Sequence, residues 1–245
     1  MKIVSWNIRH GGTKSRLAAI QDQLRLWDPD VVGLSEFRGS ATSQAIAASL
    51  AGAGLLHQRT TADADGRGVN FLMLASRFPI ELQTSTGLLA DSGRWLHVKI
   101  RGVHIISMHV PNRSDAKWQF HREVIERFEE LRSVPAVAFG DTNTGLPEVD
   151  EENKFFNKKE AAWFQRIKEA QWQDVWRERN PHAREFTWYS HRDNGFRLDQ
   201  AFAPNDFAAA ISNIRHDWGA GGRDTKLSDH AAIVFDLAED SVTPS

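Results

Sequence analysis

The sequence predicts an α/β layered domain with a mixed β-sheet. Three observations point there. Short apolar runs alternate with amphipathic helical segments along the whole chain, two neighbouring runs read as a hairpin, and no linker, fixed-period repeat or low-complexity tract interrupts the alternation. The 245 residues suit one large α/β domain or two small ones. The absence of a linker favours one, and the expected division is a domain over residues 1–238 followed by a polar tail over 239–245.

Taken in order, residues 2–8 read as a buried first strand. Residues 15–27 carry Leu17, Ile20, Leu24 and Trp27 three or four apart, the spacing of one helix face. Asp28-Pro29-Asp30 ends that helix, and residues 31–34 form a short apolar strand. A second helix is expected over 44–50, and a strand over 69–75 closed by Ser76-Arg77-Phe78-Pro79. Residues 95–100 and 103–109 form the hairpin around Arg101-Gly102. A helix follows over 118–131, with Trp118, Val124, Ile125, Phe128 and Leu131 inward, then a strand over 136–139. Residues 146–157 are polar and read as a loop, 159–170 as a helix, and 186–189, 198–203 and 231–237 as strands.

Composition excludes several classes. The hydrophobic fraction of 41% and charged fraction of 25% are those of a soluble globular protein. No cysteine is present, so disulfides and thiolate metal sites are excluded. The N-terminal residues enter a strand pattern with no secretory signal, and no run of about 18 apolar residues exists for a membrane span. A cytoplasmic monomer is the resulting expectation. The formal net charge of −2 gives no global basic signal for nucleic acid, although a local patch remains compatible with it.

Five polar clusters sit at the ends of apolar runs: Trp6-Asn7, Ser35-Glu36, Ser107 to Asn112, Gly140 to Asn143, and Ser228-Asp229-His230. Strand ends are where α/β enzymes place their sites. Taken singly, each cluster reads as a turn, a cap or surface. Together they gather Asn, Glu, Asp and His without a thiol, an oxygen-rich set suited to a hard cation such as Mg²⁺ or Mn²⁺.

Their order carries a resemblance. The pieces SWN, SEF, SMHVPN, GDTN, FTWYSHRDNGFRLDQ and LSDH resemble, over nearly the whole chain, the endonuclease/exonuclease/phosphatase superfamily. The resemblance implies a four-layer sandwich of two packed mixed sheets flanked by helices, and metal-dependent hydrolysis of a phosphate ester. It implies Glu36 as the main metal ligand, with Asn7 and Asp229 beside it. Asp141 would orient or deprotonate the attacking water, and Asn143 would donate to a phosphate oxygen. His230 would stand beside the scissile phosphate, oriented by Asp199. His109 and Asn112 fall in the mid-chain cluster.

Two departures bear on the type of enzyme. Arg9 stands where many family nucleases carry a carboxylate or amide. A cation there disfavours a second metal ion and could touch a phosphate or pair with a nearby carboxylate. His109 stands where repair nucleases typically have Tyr and the DNase I-like and phosphatase branches often have His. The stretch from 172 to 202 looks most like exonuclease III and the abasic-site endonucleases, in which positions matching Trp188, Phe196 and Leu198 line a pocket for a base-less sugar. Those three side chains are equally readable as sheet core. Arg113, Lys117, Arg192 and Arg223 are candidate phosphate contacts, while Glu148, Asp150, Glu151 and Glu152 would oppose DNA if they faced the cleft. A DNA nuclease is therefore expected, with a phosphodiesterase or phosphatase for a small molecule or lipid headgroup as the alternative. A catalytically dead binding domain is disfavoured by retention of Asn7, Glu36, Asp141, Asn143, Asp229 and His230.

Overall fold

Strands with apolar residues on both faces must be covered on both sides, and the computed structural model shows how. It describes residues 1–62, 70–85, 87, 89, 92–112 and 114–238. Strands β1 (Lys2–Asn7), β2 (Val31–Phe37), β3 (His57–Thr60), β4 (Phe71–Ser76), β13 (Ile211–Asp217) and β14 (Ala232–Leu237) form one six-stranded sheet, in the order β13-β14-β1-β2-β4-β3. Strands β5 (Glu81–Leu82), β6 (Trp95–Ile100), β7 (Val103–His109), β8 (Ala136–Asp141), β9 (Trp172–Asp174) and β12 (Asp199–Pro204) form the second, in the order β5-β6-β7-β8-β12-β9. A two-stranded hairpin, β10 (Trp188–Tyr189) with β11 (Gly195–Phe196), lies outside both sheets. Among the described residues the α-helices of a turn or more are α1 (Leu17–Trp27), α2 (Ala41–Gly52), α3 (Ser114–Leu131), α4 (Lys158–Glu169) and the short α5 (Val175–Arg179).

Side-chain alternation divides each strand between two cores. Ile3, Val31, Leu72 and Phe235 face Val98, Ile105, Val137 and Phe139 across the space between the sheets. Val4, Trp6, Val32 and Leu34 point the other way, onto Ile20, Leu24 and Trp27 of α1 and Ile46 and Leu50 of α2. Ile106, Met108, Ala138 and Phe202 pack outward onto Phe120, Val124 and Phe128 of α3 and Trp163 and Phe164 of α4. The result is the expected four-layer sandwich. The sheets approach closely at Gly33, where a Cβ would stand 2.6 Å from the Phe139 ring.

Several elements differ from the sequence expectation. β2 runs on to Phe37, and α3 begins at Ser114. Trp118 is only half-buried and Leu131 partly so, while Phe120, one turn before Val124 on the same face, is fully buried. β3, β5, β9, α5 and β13 were not expected. Val69, Arg113 and the tail 239–245 lie outside the described residues.

Candidate active site

Strand direction gathers the polar clusters at one edge. β1 pairs in parallel with β2, and β7 in parallel with β8. Asn7 and Glu36 therefore leave the first sheet where His109 and Asp141 leave the second. β12 runs antiparallel to β8 and begins at that edge, with Asp199 opposite Asp141 in register. His230 stands two residues before β14, which is antiparallel to β1.

Backbone conformation fixes the approach. Gly140 has φ +143°, and a Cβ there would lie 1.9 Å from the Met108 carbonyl oxygen, so only glycine lets β8 deliver Asp141 beside His109. Glu36 has φ +58° at an irregularity of the β2–β4 register between Ser35 and Phe37. A non-glycine residue held in that region costs on the order of 1–3 kcal/mol, a strain that clusters at functional sites.

The side chains then converge. Asn7 Nδ2 donates to Asp141 Oδ2 at 3.0 Å and reaches Glu36 Oε1 at 3.5 Å. The Asn143 backbone N–H donates to Asp141 Oδ1 at 2.9 Å. His230 Nδ1 and Asp199 Oδ2 are hydrogen-bonded at 2.8 Å, the pairing expected from the sequence. The opposite nitrogen, His230 Nε2, stands 3.8 Å from Asp141 Oδ2, and His109 Nε2 stands 3.6 Å from the same oxygen. Asn143 spends one amide hydrogen on the Val110 carbonyl at 2.8 Å.

Burial and charge set the protonation states. Burial opposes a charge on His230, but the Asp199 and Asp141 carboxylates and the Asp199 hydrogen bond outweigh it and push its pKa up to about 10. Burial drives His109 down to about 4, with Asp141 only partly offsetting it. Burial raises Asp141, helped by Asp199 and opposed by the two histidines. The two imidazoles beside Asp141 are thus shifted in opposite directions.

The Endonuclease/Exonuclease/phosphatase family model matches residues 4–230. The chain belongs to that family. A 3′-5′ exonuclease, NExo, from Neisseria meningitidis has a similar structure, with a TM-score of 0.78 at 22% identity over 97% of this chain and 100% of that one. A structure of 3′ phosphatase NExo from Neisseria bound to product DNA hairpin gives 0.79 at 22% identity over 97% and 99%. An AP endonuclease from Archaeoglobus fulgidus gives 0.78 at 23% identity over 97% and 99%. No curated protein sequence matches the chain.

In this endonuclease/exonuclease/phosphatase family member, a cleft of about 410 Å³ adjoins the polar cluster. Trp188, Phe196 and Leu198 all line it, together with Phe155, Asn112 and Asn143. Phe196 and Leu198 are buried, but they form a wall and not a closed core. Trp188 lies partly open, bridges to His230 through an isolated β-bridge, and has its ring 6.3 Å from the imidazole. Phe155 is 72% exposed at the rim, edge-on to Phe196.

Other expectations are corrected. Lys117 is not free for a phosphate: it is buried, with Nζ donating to the Asn143 carbonyl at 3.0 Å and facing Glu160 Oε1 at 3.4 Å. Asp150 and Glu151 do not face a cleft. Asp150 accepts from Arg197 and Arg177, and Glu151 accepts from the backbone N–H groups of Glu148, Phe155 and Phe156. Arg9 makes the carboxylate pairing that the sequence left open beside a phosphate contact: it stands 3.5 Å from Asp229 and remains 48% exposed.

The sequence reasoning missed three residues at the same edge, His10, Arg38 and Arg94. His10 donates its backbone N–H to Glu36 Oε2 at 2.6 Å, and its Nδ1 stands 3.0 Å from that oxygen. Arg38 reaches His10 Nδ1 at 2.8 Å and Asn70 Oδ1 at 2.7 Å. Arg94 immediately precedes β6, which begins where its antiparallel partner β7 ends. Burial lowers its pKa, opposed by the charges of Asp141 and Glu36. Its place just before a hairpin strand was the signal that could have found it.

Proposed function

We propose that the protein is a divalent-metal-dependent phosphodiester hydrolase acting on DNA, of the exonuclease III and abasic-endonuclease type. The observation that carries this reading is the continuity of two features: the Asp199–His230–Asp141 group and, bridged to His230 through Trp188, an aromatic-walled cleft. A sugar bonded to the scissile phosphate needs a binding surface in that position.

The donor set fits a hard cation. Glu36 and Asp141 bring their carboxylates onto the single amide group of Asn7, a set of oxygen donors without a thiol. Glu36, with Asn7 and Asp229, would hold Mg²⁺ or Mn²⁺. When bound, the ion supplies Lewis-acid neutralisation of a phosphate oxygen. Arg9, already against Asp229, favours one ion over two. The Asp141, Asp199 and His230 ligand atoms also lie within 4.8 Å of one another, but His230 Nδ1 and Asp199 are engaged with each other, so that group serves proton positioning.

In the reaction, Asp141 orients the water and takes its proton as the water oxygen bonds to phosphorus; the ester P–O bond breaks, and the leaving oxygen departs with the bonding pair and takes a proton from solvent. His230, protonated and held by Asp199, donates from Nε2 to a non-bridging phosphate oxygen. The second amide hydrogen of Asn143 donates to another. Such fixed donors are each worth about 10²–10³ in rate. His109, neutral and buried, shapes the pocket around Asp141 without adding charge.

The test is a hydrolysis panel with Mg²⁺ or Mn²⁺: abasic duplex, recessed-end duplex, single-stranded DNA, bis-p-nitrophenyl phosphate and p-nitrophenyl phosphate. Cleavage of DNA that chelation abolishes is the expected result. Cleavage of small esters with none of DNA would replace this reading with the second one, a small-molecule or lipid-headgroup phosphodiesterase or phosphatase. The net charge of −2 favours that second reading.

A further inference from the structure

Adjacent strand residues point to opposite faces, and β10 has only two: Trp188 and Tyr189. Trp188 faces the aromatic-walled cleft. Tyr189 faces a second cleft of about 290 Å³, lined also by Arg9, Trp218, Arg223, Asp224, Lys226 and Asp229. Ser190 borders both clefts. The second cleft reaches the polar cluster through Asp229 and Ser228, whose hydroxyl donates to the Asn7 carbonyl at 2.5 Å.

A built loop forms its outer wall. Gly219, Gly221 and Gly222 all have φ between +72° and +84°, which lets the chain turn sharply between β13 and residue 226. The loop is pinned beneath: Gln23 Oε1 accepts the Ala220 N–H at 2.6 Å, and Asp217 Oδ1 accepts the Gly219 N–H at 2.8 Å. Trp218 is thereby held half-exposed, its ring 6.1 Å from that of Tyr189 and tilted by 40°. The Arg223 guanidinium lies 3.5 Å from the Tyr189 ring centroid and pairs with Asp193, so it presents a fixed planar cation. Lys226 adds an exposed ammonium. Flat aromatic and guanidinium surfaces interleaved with cations match a base and its phosphate.

We propose that this second cleft is a stacking subsite for the nucleotide on the far side of the scissile phosphate from the Trp188 cleft. The proposal rests on the reading of the protein as a phosphodiesterase acting on DNA. Trp218 stacks on the base, Arg223 extends the flat surface, and Lys226 receives the phosphate. A face available for stacking requires an unpaired base, so the substrate strand is single or frayed at this position. The cleft's volume, at the lower end for ligand sites, suits one nucleotide.

The experiment compares wild type, Trp218→Ala, Trp218→Phe and Lys226→Gln on a single-stranded oligonucleotide and on bis-p-nitrophenyl phosphate. Stacking of one base is worth about 1–3 kcal/mol, or roughly 5- to 150-fold. Trp218→Ala should raise KM for the oligonucleotide by about 10-fold or more and leave aryl diester hydrolysis within about twofold, with Trp218→Phe restoring most of the loss. Lys226→Gln should raise the same KM less and flatten its salt dependence. Quenching of 2-aminopurine in the bound oligonucleotide should weaken in Trp218→Ala. Unchanged KM and quenching in an enzyme that cleaves DNA would overturn the subsite alone. Equal losses on both substrates would overturn it too, by showing damage to the catalytic centre. A wild type that cleaves the aryl diester but no DNA would overturn both the subsite and the reading beneath it.

Discussion

Asp150→Ala should be among the most destabilising single substitutions in the chain. Asp150 is fully buried. It accepts Arg197 Nε at 2.7 Å, Arg197 Nη2 at 2.9 Å, a hydrogen bond from Arg177 Nη2, and the Leu146 N–H at 2.8 Å. Arg197 also reaches Asp174 at 2.5 Å. Two arginines and two aspartates thus cancel in the interior. Removing Asp150 leaves an uncompensated buried cation and costs about 3–5 kcal/mol. At roughly 2–4 °C per kcal/mol for a chain of this size, Tm should fall on the order of 6–20 °C. Burial alone would raise the Asp150 pKa, but Arg197 and Arg177 outweigh it and hold it below the ordinary 3.8. Its contribution is therefore complete above about pH 4 and is lost in stronger acid. The assay is thermal and denaturant unfolding of Asp150→Ala, Arg197→Met and the double variant. The double variant should cost less than the sum of the singles, because the apolar replacement removes both charges together. Losses under about 1 kcal/mol, or strict additivity, would refute the account.

Four further outcomes are expected. Asp199→Asn should lower kcat about 10²–10³-fold with Tm near wild type, and unchanged turnover would make the pairing merely structural. Trp188→Ala should impair abasic-site cleavage far more than aryl diester hydrolysis, and equal loss on both would mean general damage. Glu36→Gln should weaken Mn²⁺ binding, followed calorimetrically, at least as much as the 10–100-fold lost when an outer hydrogen-bond partner is removed; undiminished affinity would move the ion elsewhere. His97, whose Nε2 lies 2.9 Å from His104 Nδ1, is driven to about 4 by burial and then by the nearby His104 and Arg127 charges. The unfolded chain binds the proton first, so between about pH 8 and pH 5 wild type should lose about 2 kcal/mol more stability than His97→Gln. The same loss in His97→Gln would exclude His97 as its source.

Legibility followed burial. β1, β7 and β8 read directly from the sequence because both faces are covered, and α1 because Ile20, Leu24 and Trp27 mark one stripe. β3 and β13 were missed because they are edge strands with polar residues such as Gln58, Arg59, Ser212 and Asn213, and edges need only one covered side. That two sheets exist, and not one, came from the family resemblance; alternation alone does not count sheets. At the candidate site, strand-end clusters were visible because each has a local signal. Partners brought by distant elements were not. Lys117 meets Glu160 from 43 positions away, and Asp150 meets Arg197 from 47. A charge read alone looks solvated until the fold supplies its counter-ion.

The segment from Phe196 to Asp199 shows how tightly stability and the candidate chemistry are joined. Phe196 and Leu198 form the cleft wall. Between them, Arg197 turns into the buried ion network, and its backbone N–H donates to the Asp150 carbonyl at 2.9 Å. Asp199 then holds His230. Thr187 Oγ1 accepts the N–H groups of both Leu198 and Asp199, at 2.9 and 3.1 Å, and locks this segment to the residue before Trp188. Because side chains alternate with a period of two, a one-residue slip would turn Arg197 toward the cleft and bury an apolar side chain against Asp150 and Asp174. Cleft wall, ion network and dyad would fail together. Cleft wall, ion network and dyad are thus carried by four consecutive residues, so a shift of any one of them moves the other two.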